Sequence, residues 1–202
     1  MIFFIIWLAL LTYAIFFAPG QGNSNDPVLS EVFVGNWAAI DPLVLTVFNS
    51  LGIFPLVFLT LLLRNDNKRW PAWPFSLVSF AAGAFALLPY FAFGNRPPER
   101  TIRTPKFLLR LLRSKTWLIF LIVITIANLI TLQNGISLDS YMTTFNESHL
   151  VSVMTVDWFV LWGLSVYATY QFYPEARMKG LAFIPIAGPP LVLLINANRL
   201  DV

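Results

Sequence analysis

The chain has 202 residues, 57% apolar and 11% charged, with a formal net charge of +3. Soluble globular chains average about 45–50% apolar and 25% charged, so this composition excludes a water-soluble fold. With no cysteine and one histidine, it also excludes disulfides, iron–sulfur clusters, thiolate zinc sites, cysteine nucleophiles, bis-histidine haem and multi-histidine metal centres.

The apolar residues fall in runs of roughly 15–22, enough to cross ~30 Å of hydrocarbon at ~1.5 Å per residue. The expected fold is an all-α integral membrane protein: one membrane domain over residues 1–202 with about six membrane-embedded helices and one basic amphipathic interfacial helix. The first run is 2–18. It lacks the basic start and the small-x-small site of a cleaved signal peptide, so it is expected to stay as a span. Pro19, Gly20 and Gly22 end it, and a loop to Pro42 follows with Asp26, Glu31 and Asp41 but no Lys or Arg. The second run, 43–63, is interrupted by Asn49, Gly52 and Pro55. A proline there frees a carbonyl that a neighbour must satisfy, and a packing kink is the plain reading.

A basic turn with Arg64, Lys68 and Arg69 comes next, with Trp70 and Trp73 as interfacial anchors. The third run, 75–94, has a small-residue centre at Ala81–Ala84 suited to close packing, and Pro89 is expected to break its last turn. After Thr104 as a cap and Pro105 at the first helical position comes a helix over about 105–115. At ~100° per residue Arg103, Lys106, Arg110 and Arg113 fall within about 80° of one another, with Leu108, Leu111 and Leu112 opposite. The pattern predicts a helix lying among headgroups and holding anionic lipid, at ~1 kcal/mol per basic residue.

The fourth run, 116–132, contains Asn128. A loop with Asp139 and Glu147 follows, then a fifth run over about 150–172. The last, 180–197, carries Pro185, Gly188, Pro189 and Pro190, and reads as a broken or re-entrant helix or a short span.

Lys and Arg number none in 19–42, three in 64–73, seven in 95–115, none in 133–148, two in 171–180 and one in the tail. Six clean crossings would set the first two basic clusters on opposite sides, against the positive-inside bias. The charges favour five crossings with 75–94 entering and leaving by one face; the apolar lengths favour six. Both remain open at this stage.

Chemistry is sparse. No G-x-S-x-G, H-E-x-x-H or phosphate-binding glycine loop occurs, and no enzyme activity is expected. Asp157 lies inside the fifth run, ~12 Å along a helix axis from His149, and no Lys or Arg falls within any apolar run. An intramembrane carboxylate is a functional candidate. Three settings are open for it. It is protonated, or it bonds to Asn49, Asn128 or carbonyls freed by Pro55 or Pro185, or it faces a wet cavity and handles protons or cations. His149 is an interfacial residue, either bonded to carbonyls or a ligand to a chlorophyll magnesium. Trp158 and Trp162, one turn apart, form an aromatic ridge for lipid, helix or a flat pigment such as chlorophyll or carotenoid.

Several stretches carry a resemblance: Tyr13 with Ala18-Pro19-Gly20, Phe48-Asn49 with Gly52 and Pro55, and Trp73-Pro74-Phe75. Gly83-Ala84 with Ala86-Leu87-Leu88-Pro89-Tyr90-Phe91, and Met154-Thr155 with Asp157, belong to the same set. Together they resemble a family of uncharacterised multi-spanning membrane proteins of cyanobacteria and chloroplasts, from which the chain departs around Tyr167–Phe172. The resemblance implies a thylakoid or cyanobacterial plasma membrane and a link to photosynthesis. The function expected is a non-enzymatic accessory, assembly or pigment-associated subunit of a larger membrane complex, in contact with anionic lipid and not with nucleic acid. The alternative is a small ion- or proton-coupled transporter or channel using Asp157.

Overall fold

A computed structural model describes residues 1–20, 26–94 and 102–200, and these form helices with no strand among them. Arg96 and Arg100, two of the basic residues counted above, lie outside the described residues, as does Gly22. Helix α1 (Ile2–Thr12) runs on through a π-helical turn to Phe17. α2 (Pro27–Val34) precedes α3 (Pro42–Leu63) and α4 (Ala72–Phe93). α5 (Lys106–Arg113) leads into α6 (Lys115–Leu129), and α7 (Leu138–Glu147) into α8 (His149–Phe172). α9 (Gly188–Ile195) and α10 (Ala197–Leu200) close the chain. Four helices are long and apolar enough to cross a membrane: Pro42–Leu63, Ala72–Phe93, Lys115–Gln133 and His149–Phe172; Ile2–Phe17 is shorter.

Side-chain pairs fix the directions. Tyr173 Oη donates to the Leu61 carbonyl at 3.2 Å, so the ends of α3 and α8 lie together and the two helices run parallel. Trp117 Nε1 donates to Thr60 Oγ1 (2.9 Å), and Asn128 Nδ2 donates to the Thr46 carbonyl and to Ser50 Oγ (both 3.0 Å), so α6 runs against α3. α1 runs against α8: Phe3 meets Tyr167 at 4.7 Å between ring centroids, while the Ala14 carbonyl reaches His149 Nε2 at 2.8 Å. One end of the bundle therefore gathers the basic turns (the basic face) and the other the acidic segments (the acidic face).

α4 is not a straight rod. Gly83 has φ 49° and ψ −130°, far from helical values, and the chain doubles back there. Phe75 and Tyr90 would lie about 22 Å apart along one helix; their rings are 5.4 Å apart, and Trp70 meets Phe93 at 6.0 Å. Lys68 Nζ, just before α4, sits 4.5 Å from the Tyr90 ring and 4.8 Å from Phe91, near its end. Both ends of the segment thus lie at the basic face. The expected break at Pro89 does not occur: the helix continues to Phe93, and the carbonyl that the proline leaves free is met by another helix. Pro89 lacks the N–H that would take the Phe85 carbonyl, and Trp7 Nε1 of α1 donates to that carbonyl at 3.0 Å.

The 180–197 segment is not one helix either. A 3₁₀ turn (Lys179–Phe183) leads to a bend where Ile186 takes φ 62°, and α9 returns with Pro189 and Pro190 in its first turn, where missing N–H groups cost nothing. Asn196 closes the excursion by accepting from the Arg177 N–H (2.8 Å) and donating to its carbonyl (3.0 Å). Trp162 Nε1 donates to the Phe183 carbonyl at 3.1 Å, near the far end of this loop.

The acidic segments hold helices α2 and α7 that hydropathy alone had left as loops. Each starts on a cap. Asp26 accepts from Val28 N and Leu29 N ahead of α2, with Pro27 in the first turn, and Ser137 Oγ accepts from Ser140 N ahead of α7. α5 also starts one residue later than expected, at Lys106. Thr104 does not cap it: Pro105 holds the cap position with no side-chain hydrogen bond, and the Thr104 hydroxyl donates to the Leu63 carbonyl at 2.7 Å.

Candidate functional site

The bend in α4 creates the site. Residues 72–82 and 84–93 form two arms, and the second starts with an N–H that has no carbonyl in its own helix. That donor, Ala84 N–H, is taken by Asp157 Oδ1 of α8 at 2.8 Å. The carboxylate therefore acts as a cap supplied from another helix, and the positive end of the second arm's dipole favours its charge. A Cβ at position 83 would lie 1.8 Å from Asp157 Oδ2, so only glycine lets the carboxylate come this close. Asp157 is 5% exposed. Among the described residues its one hydrogen bond is to Ala84, and its second oxygen is not paired.

Above the tip lies a cavity of about 380 Å³ between α3, α4 and α8, lined in part by Phe48, Asn49, Phe80, Phe85, Met154 and Asp157. No cationic residue lines it. It occupies the half of the bundle nearer the acidic face, which the doubled-back α4 leaves unfilled.

The sequence-predicted partners of Asp157 divide. Asn49 shares the cavity wall. Asn128 does not reach it; its amide instead ties α6 to α3 through Thr46 and Ser50. The Pro55 and Pro185 carbonyl sites make no hydrogen bond to Asp157 either. Pro55 is buried within a continuous α3, and the backbone group that meets Asp157 comes from a glycine bend. A backbone donor on another helix leaves no residue-type signature, which is why sequence reasoning missed Ala84 while finding Asp157 and marking Gly83–Ala84.

His149 lies at the acidic end of α8. A carbonyl can only accept, so Nε2 carries a proton and donates to Ala14, which removes that nitrogen as a magnesium ligand. Trp158 and Trp162 do form a ridge, with rings 6.0 Å apart. It turns away from the Asp157 cavity toward Phe54, Phe159 and the Phe183 loop. Trp158 instead borders a separate apolar cavity of about 200 Å³ with Tyr141 and Thr155. At the basic face, Lys106, Arg110 and Arg113 line a groove of about 460 Å³ with Leu109 and Ser114. Arg103 is drawn aside, donating from its guanidinium to the Arg69 carbonyl at 3.0 Å. Leu108 and Leu112 face the bundle, whereas Leu111 stays exposed beside Phe107.

One residue that the sequence reading placed only in a loop proves central. Asp26 caps α2 and also accepts from Ser148 Oγ (2.8 Å) and Leu150 N (2.9 Å), so it caps α8 as well. The Asp-Pro pair, repeated at Asp41-Pro42 ahead of α3, was its signal. No grouping of three or more His, Cys, Asp or Glu that could hold a metal occurs among the described residues. The chain matches no protein-family model, no curated protein and no solved structure.

Proposed function

We propose that this chain is a small cation- or proton-coupled membrane transporter with Asp157 as its coupling group. One observation carries the reading: the carboxylate sits at the break of a doubled-back helix and at the wall of a cavity. Broken membrane helices expose dipole ends and free backbone groups at depth, where transporters hold ions and substrates, and an intramembrane acid is costly to keep unless used. The residues at the end of the first arm, 79–82, line the same cavity and present the carbonyl end of that arm's dipole.

The topology that goes with this reading has α1, α3, α6 and α8 crossing the membrane. Residues 72–93 and 177–196 enter and leave by the basic face. The pairing of Phe75 with Tyr90 and of Arg177 with Asn196 supports it, as does the gathering of the described basic residues on one side. Reporter fusions at Asn95 and Gly135 test it, and Asn95 reporting the same side as residues 19–42 would overturn it. For function, proton and alkali-cation flux into proteoliposomes is expected to depend on Asp157. Unchanged flux in Asp157→Asn would remove the reading.

A second reading is an accessory or pigment-associated subunit of a photosynthetic complex, in a thylakoid or cyanobacterial plasma membrane. The resemblance noted above supports it, together with the apolar cavity beside Trp158, whose buried indole N–H has no hydrogen-bond partner. Gentle purification and an absorption spectrum test it. A colourless protein that migrates alone would rule it out.

A further inference from the structure

We propose that the cavity above Gly83 takes a small organic ammonium ion arriving from the acidic face. The inference rests on the transporter reading and specifies the chemistry of its substrate. Three observations carry it, the first being the wall. Phe48, Phe80, Phe85 and Met154 surround a single carboxylate, with Asn49 beside them and no cation. Aromatic faces attract a desolvated cation through the ring quadrupole, and Asp157 has an unpaired oxygen to balance its charge.

Volume is the second. About 380 Å³ lies within the ~300–1,000 Å³ of small-molecule sites. A bare metal ion would need several oxygen ligands closing on one point, and the described residues hold no acidic or histidine cluster of three. The third observation is charge sorting. All 13 Lys and Arg lie at or after Arg64 in the sequence, and those among the described residues lie in segments at the basic face, while Asp26, Glu31, Asp41, Asp139 and Glu147 lie in segments with none. The cavity occupies the acidic half. Trp37, on the turn before α3, stands 6.1 Å from the Phe48 ring and extends the aromatic wall toward that face. A cation approaching from there meets attraction throughout.

The test is calorimetric titration of the purified full chain in nanodiscs with choline, tetramethylammonium and 3,3-dimethylbutan-1-ol, the uncharged carbon analogue of choline. The cations are expected to bind, and the uncharged analogue roughly tenfold or more weakly. Asp157→Asn keeps an acceptor for Ala84 N–H and is expected to lose cation binding by roughly tenfold or more. Phe80→Leu, at a half-exposed position that does not hold the fold, is expected to lose roughly threefold to tenfold. Equal affinity for charged and uncharged analogues overturns the proposal, as does failure of both cations to bind at millimolar concentration. Proton or alkali flux that needs Asp157 without ammonium binding would overturn this inference and leave the transporter reading standing. Ammonium binding without flux would support it and remove that reading.

Discussion

Gly83 and Asp157 are matched to within a methyl group. With φ at 49° and a built Cβ at 1.8 Å from Oδ2, Gly83→Ala must either straighten the bend or expel the carboxylate. The expected loss is on the order of 2–3 kcal/mol, read as a lower melting temperature in detergent. Asp26→Ala removes the acceptor shared by two helix starts; about 2 kcal/mol is expected, the upper end for a single cap, where Asp26→Asn should lose less. Asp66 gives a pH signature. Its carboxylate accepts Ala72 N–H at 3.1 Å, and burial pushes its pKa up, with that N–H and Arg103 pulling it partly back. The folded state then holds the proton more tightly than the unfolded one. Stability from this group rises as pH falls through the raised value and is lost above it. Asp66→Asn is expected to flatten that dependence in melting curves taken across acidic to neutral pH. At this scale the sequence exposed Asp157, because a charge in an apolar run stands out, but neither the roles of Asp26 and Asp66, which lie in polar stretches, nor the backbone N–H groups that all three acids accept from.

The elements were legible as apolar runs, and the boundaries of α3, α6 and α8 follow them within a few residues. The fold-back of α4 was not visible in its length, because two arms of about ten residues add up to one span. The loop charges carried the hint, since only a segment returning to its own side lets the basic turns share a face. The 180–197 stretch announced its break through Pro185, Gly188, Pro189 and Pro190. The Trp7–Phe85 bond makes a sharper test of α4's second arm. Trp7→Phe leaves the Phe85 carbonyl without its donor and is expected to cost about 1–2 kcal/mol. Pro89→Ala restores an N–H at the right place in the helix, so the double variant should recover most of that loss. Additive losses would mean that Pro89 is not the reason Trp7 is needed.

Among the described residues, the Lys and Arg gather toward one end of the bundle and the acidic segments of α2 and α7 toward the other, with Asp157 between them. α5 belongs to this sorting: Lys106, Arg110 and Arg113 line one groove, and anionic lipid is the ligand proposed for it. The double variant Lys106→Ala/Arg110→Ala is expected to weaken retention of anionic phospholipid by about 1 kcal/mol per residue, read by native mass spectrometry against a neutral lipid. Arg103→Ala should change it less, since its guanidinium already serves the Arg69 carbonyl.

The hydrogen bond at the tip of α4 also orders events in time. Its acceptor, Asp157, follows its donor, Ala84, by 73 residues. At ~5–20 residues per second of synthesis, the ribosome reaches Asp157 several seconds after the two arms have been made. Throughout that interval the bend at Gly83 has a bare N–H and nothing in the chain to meet it, a poor state in which to enter hydrocarbon. If residues 72–93 enter and leave by the basic face, the arms are expected to seat late, when the carboxylate arrives. The native chain has no cysteine, so single cysteines introduced within 75–90 should react with water-soluble maleimides in a nascent chain stopped before Asp157 and be protected in one stopped after α8.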